Sequence, residues 1–197
     1  AERKLAITAT MESNEDRTLQ VSFIETNEIS KFYVVDGKGF SKDEKGVWLD
    51  EYYANKNNLK VGYTIKIKYE NATLEEKIIG LINVPDHVYD IKDESEVFPD
   101  HKNYGFCYLS INEFPESIIK KEVMNKMNIT DEKIFDSYMP DFNYKDYIIY
   151  NYVMVDVDNE DNKNTVKNEI ENKIDNAIAV TDIKDSMSYS TYQGEIE

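Results

Sequence analysis

VGYTIKIKYENATLEEKIIGLI, residues 61–82, is the stretch on which the fold reading turns. Ile65, Ile67 and Tyr69 alternate with Lys66, Lys68 and Glu70. A period of two is the mark of a strand with one buried face. Asn71-Ala72-Thr73 reads as a turn, and Leu74 to Ile82 returns as the partner strand. The outward residues, Lys66, Lys68 and Glu70 on one arm and Glu75 and Lys77 on the other, set opposite charges across a hairpin, which is ordinary surface design.

Upstream of the hairpin, Trp48-Leu49-Asp50 leads into Glu51 to Asn57, long enough for one or two helical turns. Lys31 to Val35 is a short β-prone run ended by the turn signal Asp36-Gly37. Nearer the start, Leu5, Ile7, Ala9 and Met11 alternate, and so do Leu19, Val21 and Phe23. They predict strands over 3–11 and 18–24. Downstream, 83–103 has no clear period and carries two Pro-Asp-His triplets, at 85–87 and 99–101. A strand is expected at 105–111. Pro115 then opens a helix, where its missing N–H costs nothing, with Ile119, Val123, Met124 and Met127 as its stripe. Residues 130–145 form a polar and aromatic crossing.

The last third predicts a β-α-β unit: a strand with Val153, Val155 and Val157 on one face, an acidic turn at 158–162, a helix with Val166, Ile170 and Ile174, and a strand at 177–180. Two strands and one helix make no core alone. The strands at 3–11 and 18–24 are their natural partners. The fold class expected is therefore α+β and two-lobed. One lobe is discontinuous, α/β, and built from 1–35 and 116–197. The other is a small β-rich insertion, 36–115, with a long aromatic loop.

Composition limits the function. The formal net charge is −16, from 39 acidic and 23 basic residues, whereas phosphate backbones are held by concentrated Lys and Arg. A nucleic-acid partner is excluded on that ground. The 41% hydrophobic content supplies a core, so the chain is not read as disordered. The single Cys107 makes no intrachain disulfide and sits in an apolar Gly-Phe-Cys-Tyr-Leu setting, as a buried structural thiol does. No run of about 18 apolar residues is present. The chain begins at Ala1 and ends Gly-Glu-Ile-Glu, and both ends read as cut from something larger.

Three constellations invite chemistry. Asp158 to Asn162 with Glu169 imitates a calcium loop, but Lys163 stands where the sharp turn needs Gly, so a solvated, capping turn is expected. His87 and His101, each after an Asp (Asp86, Asp100), make a transition-metal site conceivable only if they converge. No metal, cofactor or catalytic residue is assigned. There is no nucleophile elbow, phosphate loop or His-Glu-x-x-His motif. The aromatics Tyr89, Phe98, Tyr104, Phe106 and Tyr108 are the candidate ligand or partner surface, set against plain packing of a loop on its own lobe.

Gly46-Val47-Trp48-Leu49-Asp50, Tyr53-Ala54, Leu59-Lys60-Val61-Gly62 and the hairpin ending Ile79-Gly80-Leu81 together resemble the extracellular, MacB-like periplasmic core domain of FtsX-like ABC transporter permeases. Pro99 to Ser110 resembles the versions in Gram-positive bacteria. One departure is Tyr63, where the family usually has Asp. The resemblance implies a membrane-proximal α/β lobe with an inserted β-rich lobe, placed outside the cell membrane. It implies no catalysis in this chain. A cytoplasmic ATPase subunit would drive the membrane helices, a second permease copy would assemble alongside, and this domain would couple the motion to export, sensing or activation. External partners would be a cationic peptide, a lipid or an extracellular protein. The rival readings are a free-standing secreted or surface-anchored binding protein and, more remotely, a carboxylate or His-Asp hydrolase.

Overall fold

Residues 1–87, 92, 98–174 and 180–181 are described by a computed structural model. Among the described residues there are eight strands: β1 (Glu2–Met11), β2 (Asn14–Ile24), β3 (Tyr33–Gly37), β4 (Val47–Asp50), β5 (Thr64–Tyr69), β6 (Ala72–Asn83), β7 (Tyr104–Ser110) and β8 (Tyr152–Met154). The helices are α1 (Glu51–Lys56), α2 (Glu116–Lys126), α3 (Glu132–Tyr138) and α4 (Lys163–Lys173).

Six strands run in the order β2-β7-β4-β6-β5-β1, and β1 pairs back onto β2. The sheet is thus a closed barrel, which removes most free edges. It is mixed: β2–β7 and β4–β6 are parallel and the other barrel pairs antiparallel. β3 attaches to β6 and β8 to β1 outside the ring.

This corrects the expected two-lobed α+β fold. β1 and β2 share one barrel with β4 to β7, so the N-terminal strands are not a lobe apart from the middle of the chain. The pairing that decides it is β2 with β7, seven residues in parallel register from Thr18↔Tyr104 to Ile24↔Ser110. The β-α-β unit is not built as expected either. β8 pairs antiparallel with β1, from Glu2↔Met154 to Lys4↔Tyr152. Val153 and Val155 are exposed. α4 forms but buries none of its residues. Residues 177–179 of the expected last strand lie outside the described residues.

The hairpin forms, with Lys66 opposite Glu75 and Ile67 opposite Leu74, but its turn is tighter than the expected Asn71-Ala72-Thr73: Ala72 and Thr73 already pair with Tyr69 and Lys68. β6 is longer than β5, and its second half pairs with β4 on one side and β3 on the other. That half is buried from Ile78 to Ile82. Gly80 lets Trp48 lie flat on it, since a Cβ there would stand 2.6 Å from Trp48 Cδ1. The barrel interior holds Leu19, Val21, Phe23, Leu49, Ile67 and Leu109, all fully enclosed. Phe114, Ile118 and Ile119, at the start of α2, join that core, with Phe114 edge-on to Phe23 at 5.0 Å. A second core on the outer face gathers Phe32, Trp48, Ile82, Phe106 and Tyr108. The Trp48 indole N–H donates to the Lys38 carbonyl at 2.9 Å, so no donor is stranded there.

α1 is held by its cap: the Asp50 carboxylate accepts from Tyr52 N and Tyr53 N at 2.9 and 3.3 Å. Among the described residues no helix is long and apolar enough to cross a membrane.

Candidate ligand cleft beside the C-terminal crossing

The aromatic set expected to form a surface is dispersed. Phe106 and Tyr108 are buried in the outer core, where Phe106 stacks on His87 at 4.2 Å. Tyr104 is half-buried at the start of β7, Phe98 is exposed, and Tyr89 lies outside the described residues. His101 stacks on Tyr52 at 5.2 Å, away from His87 and its Phe106 partner. Among the described residues no group of three or more His, Cys, Asp or Glu is placed to hold a metal ion. Cys107 is fully buried, and burial pushes its thiol far up from the ordinary range, so thiolate is scarce. The acidic turn is a short 3-10 turn capped by Asn159, which accepts from Asp161 N at 3.0 Å.

A site that sequence reasoning missed lies where the segment after α2 crosses back over the barrel. α3 starts on the Asp131 cap and buries Phe135. Phe142 packs edge-on against Phe135 at 5.1 Å and contacts the Tyr147 ring at 5.2 Å, which sets the path of the crossing. Further on, Asn151 clamps β1: its amide donates to Ala6 O at 2.7 Å and accepts from Ala6 N at 2.8 Å, imitating a strand pair. Arg3 lies over the Tyr150 ring at 4.1 Å and Lys4 over Tyr152 at 4.5 Å.

Two depressions flank this crossing and share Ile148. The first, about 330 Å³, lies between α2 and the crossing and is floored by Ile119, Val123, Met127, Tyr147 and Ile149. Glu122, Lys126 and Asp146 also line it. The second, about 340 Å³, is polar and brings together Arg3, Glu25, Lys42, Asp43, Asn112, Lys145 and Tyr150 over Ile111. Six separate stretches of chain supply these walls.

The hub of the polar part is Asn112. Its carbonyl accepts from Tyr144 OH at 3.1 Å, and its side-chain oxygen accepts from Lys145 Nζ at 2.7 Å. Its amide nitrogen and Ser110 Oγ both donate to Lys42 O, at 3.1 and 2.6 Å. The backbone at Lys42 and the ammonium of Lys145 are therefore fixed by one residue. Across the cleft, Arg3 Nε donates to Glu25 at 3.1 Å, and Lys42 Nζ is 3.5 Å from the same carboxylate. Burial pushes the Glu25 carboxyl up, but the hydrogen bond and charge of Arg3, with Lys42, outweigh it and hold it below its usual range. Burial, with the Glu25 charge, raises the Tyr150 phenol, which stays neutral and able to donate. The hydrogen bond to Glu25 raises the Arg3 guanidinium further.

Such an arrangement recognises charge next to apolar surface. The sequence signal was faint: Tyr144-Lys145-Asp146-Tyr147-Ile148-Ile149-Tyr150 is dense in aromatic and aliphatic residues but has no period. No protein-family model matches the chain, and no curated protein matches it.

Proposed function

We propose that this chain is the non-catalytic extracellular module of an FtsX-like, MacB-type ABC transporter permease. In this reading it couples membrane-helix motion, driven by a cytoplasmic ATPase subunit, to an external ligand or partner. The observation that carries the reading is who lines the cleft. Part of the lining comes from β1 through Arg3, and part comes from Lys145 to Tyr150, which leads into β8. β1 and β8 are themselves paired side by side. A pull that shifts one strand against the other reshapes the cleft, and a ligand seated in it resists that shift. Coupling of this kind needs no reacting group. The motif residues behind the resemblance fit the same picture, because Trp48, Asp50, Tyr53 and Ala54 are all buried and pack against the barrel.

The test uses the gene product in its own cell. The expected result is membrane fractionation, protease access to this domain from outside, and co-purification with an ATPase subunit. A product that fractionates as a free soluble protein and retains no ATPase ends the permease reading.

A further inference from the structure

We propose that the two depressions meeting at Ile148 are one binding site for an anionic amphiphile: an apolar arm along Val123, Met127 and Ile149, and an acidic head at Lys145 and Lys42. The inference stands on the cleft alone and not on the permease reading.

Adjacency is the first argument: the two parts lie on either side of Ile148, which lines both. Each part falls in the size range of small-molecule sites, roughly 300–1,000 Å³. The second argument is exposed apolar area. Met127 and Ile149 are 41% and 67% exposed although they sit beside a formed groove. Covering such area is favourable, at roughly 25 cal/mol per Å².

Charge sets the direction of the ligand. In a chain of net charge −16, the polar part gathers Arg3, Lys42 and Lys145 against two carboxylates, Glu25 and Asp43. Glu25 is already engaged by Arg3 at 3.1 Å. Lys145 is steadied by the neutral side-chain amide of Asn112, which leaves its charge uncompensated by that contact. Asn112 also fixes the Lys42 backbone, and Glu25, which Lys42 shares with Arg3, holds its ammonium at 3.5 Å, so both cations are placed before a ligand arrives. The apolar part carries Glu122 and Asp146 beside a single Lys126. An acidic head is repelled there and drawn to the Lys145 end, which gives the ligand one orientation.

The experiment titrates the whole chain with decanoate and with decyl phosphate, below their aggregation concentrations, by calorimetry and by amide NMR shifts. Decyl maltoside and decyltrimethylammonium are the neutral and cationic controls. Both anions are expected to bind and to shift the Ile148 and Asn112 amides, with the controls weaker by about tenfold or more. The ratio of the two anionic affinities tells a carboxylate head from a phosphate head. Each methylene removed from the arm weakens binding by up to roughly fourfold. Lys145→Glu, an exposed change that leaves folding intact by circular dichroism, costs about tenfold. Met127→Glu weakens every chain length. Equal affinity for neutral and anionic probes, insensitivity to chain length, shifts located elsewhere, or an unchanged affinity in Lys145→Glu overturns the proposal. A freely soluble product that still binds decanoate keeps this inference and loses only the permease reading.

Discussion

β7 is buried from Gly105 to Ser110, while β8, at the outer edge of the same sheet, exposes Tyr152 and Val153. The contrast follows from position. β7 lies between β2 and β4 and has a core on each face: Cys107 and Leu109 point into the barrel, Phe106 and Tyr108 into the outer cluster. Among the described residues β8 has one neighbour, β1, and its hold on that neighbour comes from three paired residues, the Asn151 clamp and two cation–π contacts. The barrel is thus stabilised by burial and the crossing by polar and aromatic fastenings. Rigidity and ligand access are divided between them. Fastenings open to water release more readily than a packed ring, and the cleft sits on the releasable side.

The sharpest way to break this contrast is to remove volume from the core on the barrel's outer face. Trp48 is fully enclosed between Phe32, Phe40 and the backbone at Gly80. Trp48→Ala is expected to lose about 3–5 kcal/mol in urea denaturation, from lost transfer energy and the cavity left behind. Tyr152→Ala, half exposed on β8, removes the cation–π contact with Lys4 and is expected to lose only about 1 kcal/mol. Equal losses at the two sites would mean that the crossing is as integral as the barrel.

The same difference explains what the sequence reveals. Elements with one wet face were legible: β1, β5, the first half of β6, and α2 opening after Pro115 all keep a period or a boundary signal. β7 was located, but whether its aromatics face a partner or pack was left open by the pattern; Phe106 and Tyr108 pack in the outer cluster, and Cys107 and Leu109 face the barrel. Partner choice was not legible at all. The parallel pairing of β2 with β7 joins Thr18 to Tyr104 across the whole hairpin, and no local pattern encodes it. A two-lobed α+β arrangement satisfies the same periods as a closed barrel. The cleft was hidden for the same reason: Arg3, Lys42, Asn112 and Lys145 are far apart in sequence and meet only after the ring has closed.

A titration sharpens the contrast from inside β6. Glu76 lies on the strand opposite Ile65, partly buried. Burial pushes its carboxyl up to about 7, with Glu113 adding to the rise and Lys45 opposing it. Because the folded pKa lies above the unfolded value, the folded state binds the proton more tightly. Stability is then lost as pH rises from about 4.5 to about 7, and the loss is complete above that. Glu76→Gln is expected to be more stable than the parent at pH 8, on the order of 1 kcal/mol after solvent screening. The gap should close towards pH 5. Denaturation of both proteins at the two pH values measures it, and a pH-independent gap refutes the buried-carboxylate cause.

Asn151→Ala tests the fastening directly. It removes both hydrogen bonds to the Ala6 backbone, worth about 1 kcal/mol together because the site is open to water. Global stability should fall by no more than that. Amide exchange in 150–154 should accelerate far more than exchange in β7, since only local opening is made easier. Uniform acceleration across the sheet would show that β8 unfolds only with the barrel.

The smallest expected change has the opposite sign, and it lies where the barrel is least well satisfied. The Tyr53 ring is fully enclosed against Gly105, where a Cβ would stand 2.6 Å from Tyr53 Cβ. Its hydroxyl is buried without a hydrogen-bond partner, and so are Arg17 Nε, Thr18 Oγ1, Asn57 Oδ1 and His101 Nδ1. These residues are neighbours. Asn57 Nδ2 donates to Tyr53 O at 2.9 Å and to Lys102 O at 3.1 Å, and Thr18 N donates to Asn103 O at 2.8 Å. The phenol feels the Arg17 charge, although burial dominates and raises it to about 12. Tyr53→Phe keeps the packed ring and removes only the stranded oxygen, so stability should be unchanged or higher by up to about 1 kcal/mol. A loss beyond about 1 kcal/mol would assign the hydroxyl a working hydrogen bond. The polar cluster at this end of the barrel would then be a satisfied network, and the barrel would depend on polar fastenings as the crossing does.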